Sequence, residues 1–110
     1  VFTFDERGVS DHPNHIATFQ GVKLAIHSCV KHSIPVSGMK LKSLNIYRKF
    51  SGVMEILYAL ICYEYIVVVW GVWTALKGMY IHRSQNLFYR QIFVILSAFT
   101  YVNSFEPIVS

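Results

Sequence analysis

Twenty-one consecutive residues, Ile56 to Leu76, read ILYALICYEYIVVVWGVWTAL and hold a single charge, Glu64. No other feature constrains the chain as much, because about 20 apolar residues wound as a helix match the roughly 30 Å hydrocarbon layer of a bilayer. A second run, Leu87 to Phe105, carries one charge, Arg90, near its start. The connection from Lys77 to Asn86 is basic, polar and short, which would force two helices to run antiparallel. Tyr58, Trp73, Tyr80, Phe88 and Tyr89 sit toward the edges, where aromatic rings suit a membrane interface. The pattern predicts an all-α membrane protein, an N-terminal amphipathic helix followed by a two-helix transmembrane hairpin. Its spans would cover about 54–78 and 87–107.

Composition agrees with that expectation. Of the 110 residues 54% are apolar and 15% charged, against about 45–50% and about 25% in an average globular domain. This balance excludes disorder and disfavours a soluble enzyme. Two cysteines, Cys29 and Cys62, are too few for a disulfide scaffold.

Within the expected spans the polar groups are the informative ones. A carboxylate inside a bilayer faces protein, a cavity or a partner. On a helical wheel Gly71, Ala75 and Gly78 fall within about 40° of Glu64, and small residues in that arrangement let a second helix approach. In the second span Arg90, Ser97 and Ser104 recur every seven residues with Thr100 beside them. The helix-packing residues are therefore Glu64, Gly71, Ala75, Gly78, Ser97, Thr100, Asn103 and Ser104, with Glu64 level with Asn103 across the hairpin. Glu55 lies near Arg48 and Lys49, where a salt bridge accounts for it.

The first 49 residues read as an extramembrane arm. Val1–Phe4 alternates like a short extended segment, and Asp11-His12-Pro13 offers a helix start with proline in the first turn. From there, over about 13–33, Ile16, Phe19, Val22, Ile26, Cys29 and Val30 share one face, and Lys23, His27 and Lys31 another. No acid occurs between Asp11 and Glu55, where six cations fall. Lys40, Lys42, Arg48, Lys49, Lys77 and Arg83 are the expected contacts to anionic lipid headgroups or to a partner. Nucleic acid is not an expected partner, because the aromatic-interleaved surfaces that read bases are missing.

The sequence shows no catalytic constellation. His12 and His15 are three apart at a helix start, and His27, Cys29 and His32 cluster, but neither makes a four-ligand zinc pattern. There is no P-loop, dinucleotide fingerprint or nucleophile elbow. No catalytic, cofactor-binding or metal residue is expected, and no cofactor.

One short run, Ser43-Leu44-Asn45-Ile46-Tyr47-Arg48-Lys49-Phe50-Ser51-Gly52-Val53, distantly resembles the opening of the first helix of the cytochrome b anchor subunit of succinate dehydrogenase. It covers about a tenth of the chain. The haem-ligand histidine that the family carries in its next helix has no counterpart here. The resemblance implies Ser43 and Arg48 at a quinone pocket.

Three readings of function follow. The leading one is a small non-enzymatic accessory subunit of a membrane energy-converting complex, a mitochondrial respiratory complex or ATP synthase, in the inner membrane among other membrane subunits and anionic lipids. The Val1 start and the basic band suit such a processed subunit. The second is a fragment of a polytopic channel or transporter with Glu64 in its path. The third is a quinone-site anchor subunit.

Overall fold

A computed structural model describes residues 1–69 and 71–109, with Gln85 described in its backbone alone. In chain order the elements are β1 (Phe2–Phe4), α1 (Gly8–Asp11), α2 (Pro13–Lys31), β2 (Met39–Leu41), α3 (Ile46–Lys49), α4 (Met54–Cys62), β3 (Tyr65–Val68), α5 (Val72–Ile81), α6 (Phe88–Leu96) and β4 (Val102–Pro107). Single 3₁₀ turns occupy Arg83–Gln85 and Ala98–Thr100. The four strands form one sheet in the order β1-β2-β4-β3. The chain is mixed α/β, which overturns the expected all-α hairpin.

Neither expected span survives, and in both the reason is local. Among the described residues no helix is long and apolar enough to cross a membrane. The first run breaks because Tyr65-Ile66-Val67-Val68 is aromatic and β-branched. Such side chains lose rotamer freedom in a helix and pack well on a pleated surface. Helix α4 ends at Tyr63, whose backbone is extended, and α5 restarts after Gly71. The second run breaks at Ser97, also extended, and resumes as β4, whose first residues alternate between buried and half-buried. Trp70, inside the first run, lies outside the described residues.

Two compact units divide the chain: Val1–Ser43 with Ser104–Ser110, and Leu44–Asn103. In the first, β1 and β2 are parallel, pairing Phe2 with Met39, Thr3 with Lys40 and Phe4 with Leu41. Helix α2 makes the crossover between them, as parallel neighbours require. Strand β2 then pairs antiparallel with β4, setting Lys40 opposite Glu106 and Leu41 opposite Phe105. Phe19 and Ile26 of α2 are buried, each contributing about 1.5–3 kcal/mol. Gly38 marks the close approach of the chain to that helix: a Cβ there would collide with Ile26 and lie 3.0 Å from Ile108 Cδ1.

In the second unit Asn45 caps α3, its Oδ1 accepting from the Arg48 amide at 3.0 Å. Leu44, Ala59, Ala98 and Val102 are its buried apolar residues. Glu55, on the inward side of α4 with Ala59, is buried as an ion pair with Arg48.

Candidate functional site at the carboxyl ends of β1 and β2

In open α/β sheets ligands bind beyond the carboxyl ends of parallel strands, where loops leave the sheet. Here that position is occupied by Asp5 and the loop to His12 after β1, and by Ser43 just after β2.

Asp5 is buried and fully engaged. Its Oδ1 accepts from the Ser43 hydroxyl at 2.5 Å and from the Arg7 amide at 3.1 Å, and its Oδ2 accepts from the Ser43 amide at 2.6 Å. Burial alone would raise its pKa. The hydrogen bonds from the Ser43 hydroxyl, the Ser43 amide and the following loop outweigh burial and hold the carboxyl below its ordinary value. Ser43 Oγ in turn accepts from the Val9 amide at 2.9 Å, so one carboxylate and one hydroxyl pin the loop to β2. Beside it, Lys40 holds Glu6 at 2.8 Å and lowers that carboxyl's pKa. A cleft of about 210 Å³ opens there, lined by Glu6, Phe19, Lys23, Lys40, Pro107 and Ile108 among others.

The pinned loop, which includes the irregular turn α1 with non-helical angles at Val9 and Ser10, is strained. Gly8, Val9 and Asp11 all have positive φ, at 55°, 69° and 57°. For a β-branched residue such as Val9 that region is a genuine outlier, and conformations of this kind cost about 1–3 kcal/mol each and concentrate where a site needs them. Only glycine fits at position 8, where a Cβ would stand 2.8 Å from the His15 Cβ.

The end of the loop and the first turn of α2 carry two imidazoles in opposite hydrogen-bonding states. His15 Nδ1 lies 3.1 Å from the Gly8 carbonyl. A carbonyl can only accept, so in the neutral ring Nδ1 carries the proton and Nε2 has the lone pair. His12 is the N-cap of α2, and its Nδ1 accepts from the Asn14 amide at 3.3 Å. In the neutral ring the proton therefore sits on Nε2. The two ring centroids are 4.8 Å apart, and His15 is stacked on Phe4 at 4.0 Å and 12°. In the neutral rings Nε2 of His15 can accept a proton while Nε2 of His12 can donate one, which is the equipment of acid–base chemistry. Among the described residues no group of three or more His, Cys, Asp or Glu side chains is placed to hold a metal ion.

The residues singled out from the sequence lie elsewhere. Glu64 is exposed in the bend between α4 and β3. Gly71 is the N-cap of α5, Ala75 and Gly78 are half-buried within it, and Ser97 ends α6. The seam expected to join Glu64, Gly71, Ala75 and Gly78 needs one helix, and β3 interrupts it. Thr100 donates to the Val94 carbonyl at 2.6 Å, and Asn103 donates to the Phe99 carbonyl at 3.2 Å rather than facing Glu64. Ser104 is buried in β4. Of the expected headgroup contacts, Lys40 pairs with Glu6 and Lys42 with Glu106, both at 2.8 Å. Arg48 binds Glu55 and donates to the Tyr63 hydroxyl at 3.1 Å. Lys49 lies 5.8 Å from the Phe93 ring centre, and Lys77 and Arg83 are exposed. Ser43 and Arg48, implied at a quinone pocket, are each engaged by a carboxylate, Asp5 and Glu55.

The site was missed although its signals were in the sequence: His12 and His15 around a proline-led helix start, and Gly8 in the loop before it. Asp5 carries no local signature, because its role comes from Ser43, a residue far along the chain.

The fold and the paired imidazoles define an α/β chain with a polar site at the ends of parallel strands. Comparison with known proteins gives that class a more particular setting. The chain is 30% identical over 107 residues to N-acetylglucosaminyl-phosphatidylinositol de-N-acetylase of Bos taurus, a match covering 94% of this chain and 42% of that one. It is 27% identical over 135 residues to a Dictyostelium discoideum protein that bears the same name with the qualifier "Probable", covering 94% and 52%. A third relative, from Schizosaccharomyces pombe and named like the second, is 36% identical over 61 residues, covering 56% of this chain and 23% of its own length. The chain thus spans about half the length of the curated relatives it matches. No family model matches, and no solved structure does.

These findings correct the functional expectations. The relatives are named as enzymes, so a non-enzymatic accessory subunit is overturned, as are the channel fragment and the quinone-site anchor. Nothing in their names points to a respiratory complex, to ATP synthase or to mitochondria.

Proposed function

We propose that this chain carries part of the active site of an N-acetylglucosaminyl-phosphatidylinositol de-N-acetylase. The observation that carries the reading is the pair His12 and His15, whose Nδ1 contacts leave opposite roles to their Nε2 atoms, at the start of α2 beside a strained loop held by Asp5 and Ser43. Similarity to the named de-N-acetylases over nearly all of this chain supports it.

Removing the acetyl group is hydrolysis of an amide. Water attacks the acetyl carbonyl, the carbon–nitrogen bond breaks, acetate departs and the sugar nitrogen leaves as an amine. His15 Nε2 is placed to take the proton from water, and His12 Nε2–H to deliver one to the departing nitrogen. Asp5 touches neither ring; it positions the loop that does. The substrate's phosphatidylinositol portion is a membrane lipid, so the reading places the protein at a membrane surface.

The test is acetate release from N-acetylglucosaminyl-phosphatidylinositol by the natural protein, isolated at its full cellular length, with His15→Gln and His12→Gln alongside. A positioned acid or base contributes about 10²–10⁴ in rate, so each variant should lose activity on that scale while keeping its circular dichroism. No release by the natural protein, or unchanged rates in both variants, would overturn the reading.

A further inference from the structure

The second unit wears its apolar residues on the outside. On α4 the charged residue is inside, Glu55 being 3% exposed, while Met54, Leu57 and Ile61 stand on the outer side at 62%, 59% and 85%. On α5, Trp73 and Tyr80 are two turns apart and exposed, and on α6 Phe88 and Tyr89 begin two exposed rows continued by Ile92, Phe93, Ile95 and Leu96. Helices α5 and α6 pack against each other, and both carry exposed apolar side chains. Scattered surface hydrophobes need no explanation, but a contiguous set marks a surface made for something other than water.

The charges say what covers it. Between Leu44 and Asn103 the cations are Arg48, Lys49, Lys77, Arg83 and Arg90, and the acids are Glu55 and Glu64. Arg48 and Glu55 neutralise each other inside the unit, which leaves four cations against Glu64. Lys77 lies on α5, Arg83 in the turn after it and Arg90 on α6. A second copy of the chain would set these cations against one another. Aliphatic side chains flanked by aromatic rings and by lysine and arginine match an anionic bilayer interface, where rings sit at headgroup level and cations reach phosphates. The helices are nine or ten residues long, about 15 Å at 1.5 Å per residue, half the bilayer core. They fit lying in the interface, not crossing it.

We propose that the α5–α6 face docks onto an anionic lipid bilayer, with Trp73, Phe88 and Tyr89 inserted among the headgroups and Lys77, Arg83 and Arg90 on the phosphates. The choice of a lipid surface rests on the lipid substrate of the proposed function, and the docking presents the protein to that substrate from the membrane plane.

The chain has two tryptophans, at 70 and 73, so with Trp70→Phe as the background the intrinsic tryptophan fluorescence reports Trp73 on α5 alone. The protein is mixed with vesicles of phosphatidylcholine, or of phosphatidylcholine with one part in three phosphatidylinositol. Binding is read by flotation and insertion by brominated-lipid quenching. Preferential binding to the anionic vesicles is expected, with quenched emission. Neutralising three surface charges in Lys77→Gln/Arg83→Gln/Arg90→Gln should weaken binding roughly a hundredfold, at about a factor of five per cation. Phe88→Ser/Tyr89→Ser should weaken it too, both with unchanged circular dichroism. Absence of flotation, unquenched emission, equal binding by the variants, or a dimer that hides Trp73 would each overturn the proposal. Hydrolysis of a water-soluble short-chain substrate by the natural protein separates the two readings. Vesicle binding without hydrolysis keeps the docking and sinks the function, and hydrolysis without vesicle binding does the reverse.

Discussion

Arg48 and Glu55 grip each other through two parallel contacts, Nε to Oε2 at 3.2 Å and Nη2 to Oε1, with the guanidinium 3.9 Å from the Tyr58 ring centre. Glu55 is almost wholly removed from water, and its carboxylate is what keeps Arg48 firmly protonated. A forked, stacked partner of this kind is something arginine supplies and lysine does not.

Breaking that pair should be costly and replacing it cheap. Removing one partner of a buried pair leaves an uncompensated charge, about 3–5 kcal/mol, whereas an apolar pair of similar volume is often neutral or stabilising. Glu55→Ala is expected to lower the unfolding free energy on that scale, and Arg48→Met/Glu55→Leu to recover most of it. Urea denaturation of the three proteins measures both, and equal losses in the single and double variants would contradict the assignment.

Asp5 gives the chain an acid-sensitive lock. Its folded pKa lies below the ordinary 3.8, so its stabilising contribution is present in full above 3.8 and is lost as pH falls through the folded value. Asp5→Asn should flatten the stability profile below about pH 4, and Ser43→Ala should do so in part by removing one hydrogen bond to Oδ1. Thermal melts from pH 2 to 7 read the slope; a profile identical to the unsubstituted protein's would count against the lock.

Gly8 should tolerate no side chain. An alanine would hold φ near +55° at a cost and press its Cβ against His15, a loss of about 1–3 kcal/mol. Because the collision is with His15, Gly8→Ala should also displace that ring from the Gly8 carbonyl and from Phe4. The His15 ring proton shifts in NMR, set by the stacked Phe4, are the measurement, and unmoved shifts would refute the coupling.

What could be seen in the sequence depended on whether the signal was local. The proline-led start of α2 and the Arg48–Glu55 pair were legible, since each is written within a few residues. The apolar surplus at 56–76 and 87–105 was read as two membrane spans, which the short helices and strands overturn. Length and hydropathy outvoted the β-branched run at 65–68, whose local preference makes β3. Parallel pairing of Phe2–Phe4 with Met39–Leu41 could not be read, because both strands are three residues long and the partner lies across a whole helix. With it went the site, since Asp5 and Ser43 acquire meaning only when that pairing brings them together.

His12 has two duties that substitution can separate. As the N-cap of α2 it accepts from the Asn14 amide, and as the proposed acid it offers Nε2–H. Alanine removes both: the helix loses a cap worth about 0.5–2 kcal/mol, and acetate release should fall together with stability. Asparagine, among the best N-cap residues, restores an acceptor for the Asn14 amide but no titratable proton. His12→Asn is therefore expected to melt at or above the unsubstituted temperature while its acetate release stays about 10²–10⁴ down. If activity instead tracks the melting temperature across both variants, His12 is a capping residue alone, and the proton for the leaving nitrogen must come from elsewhere.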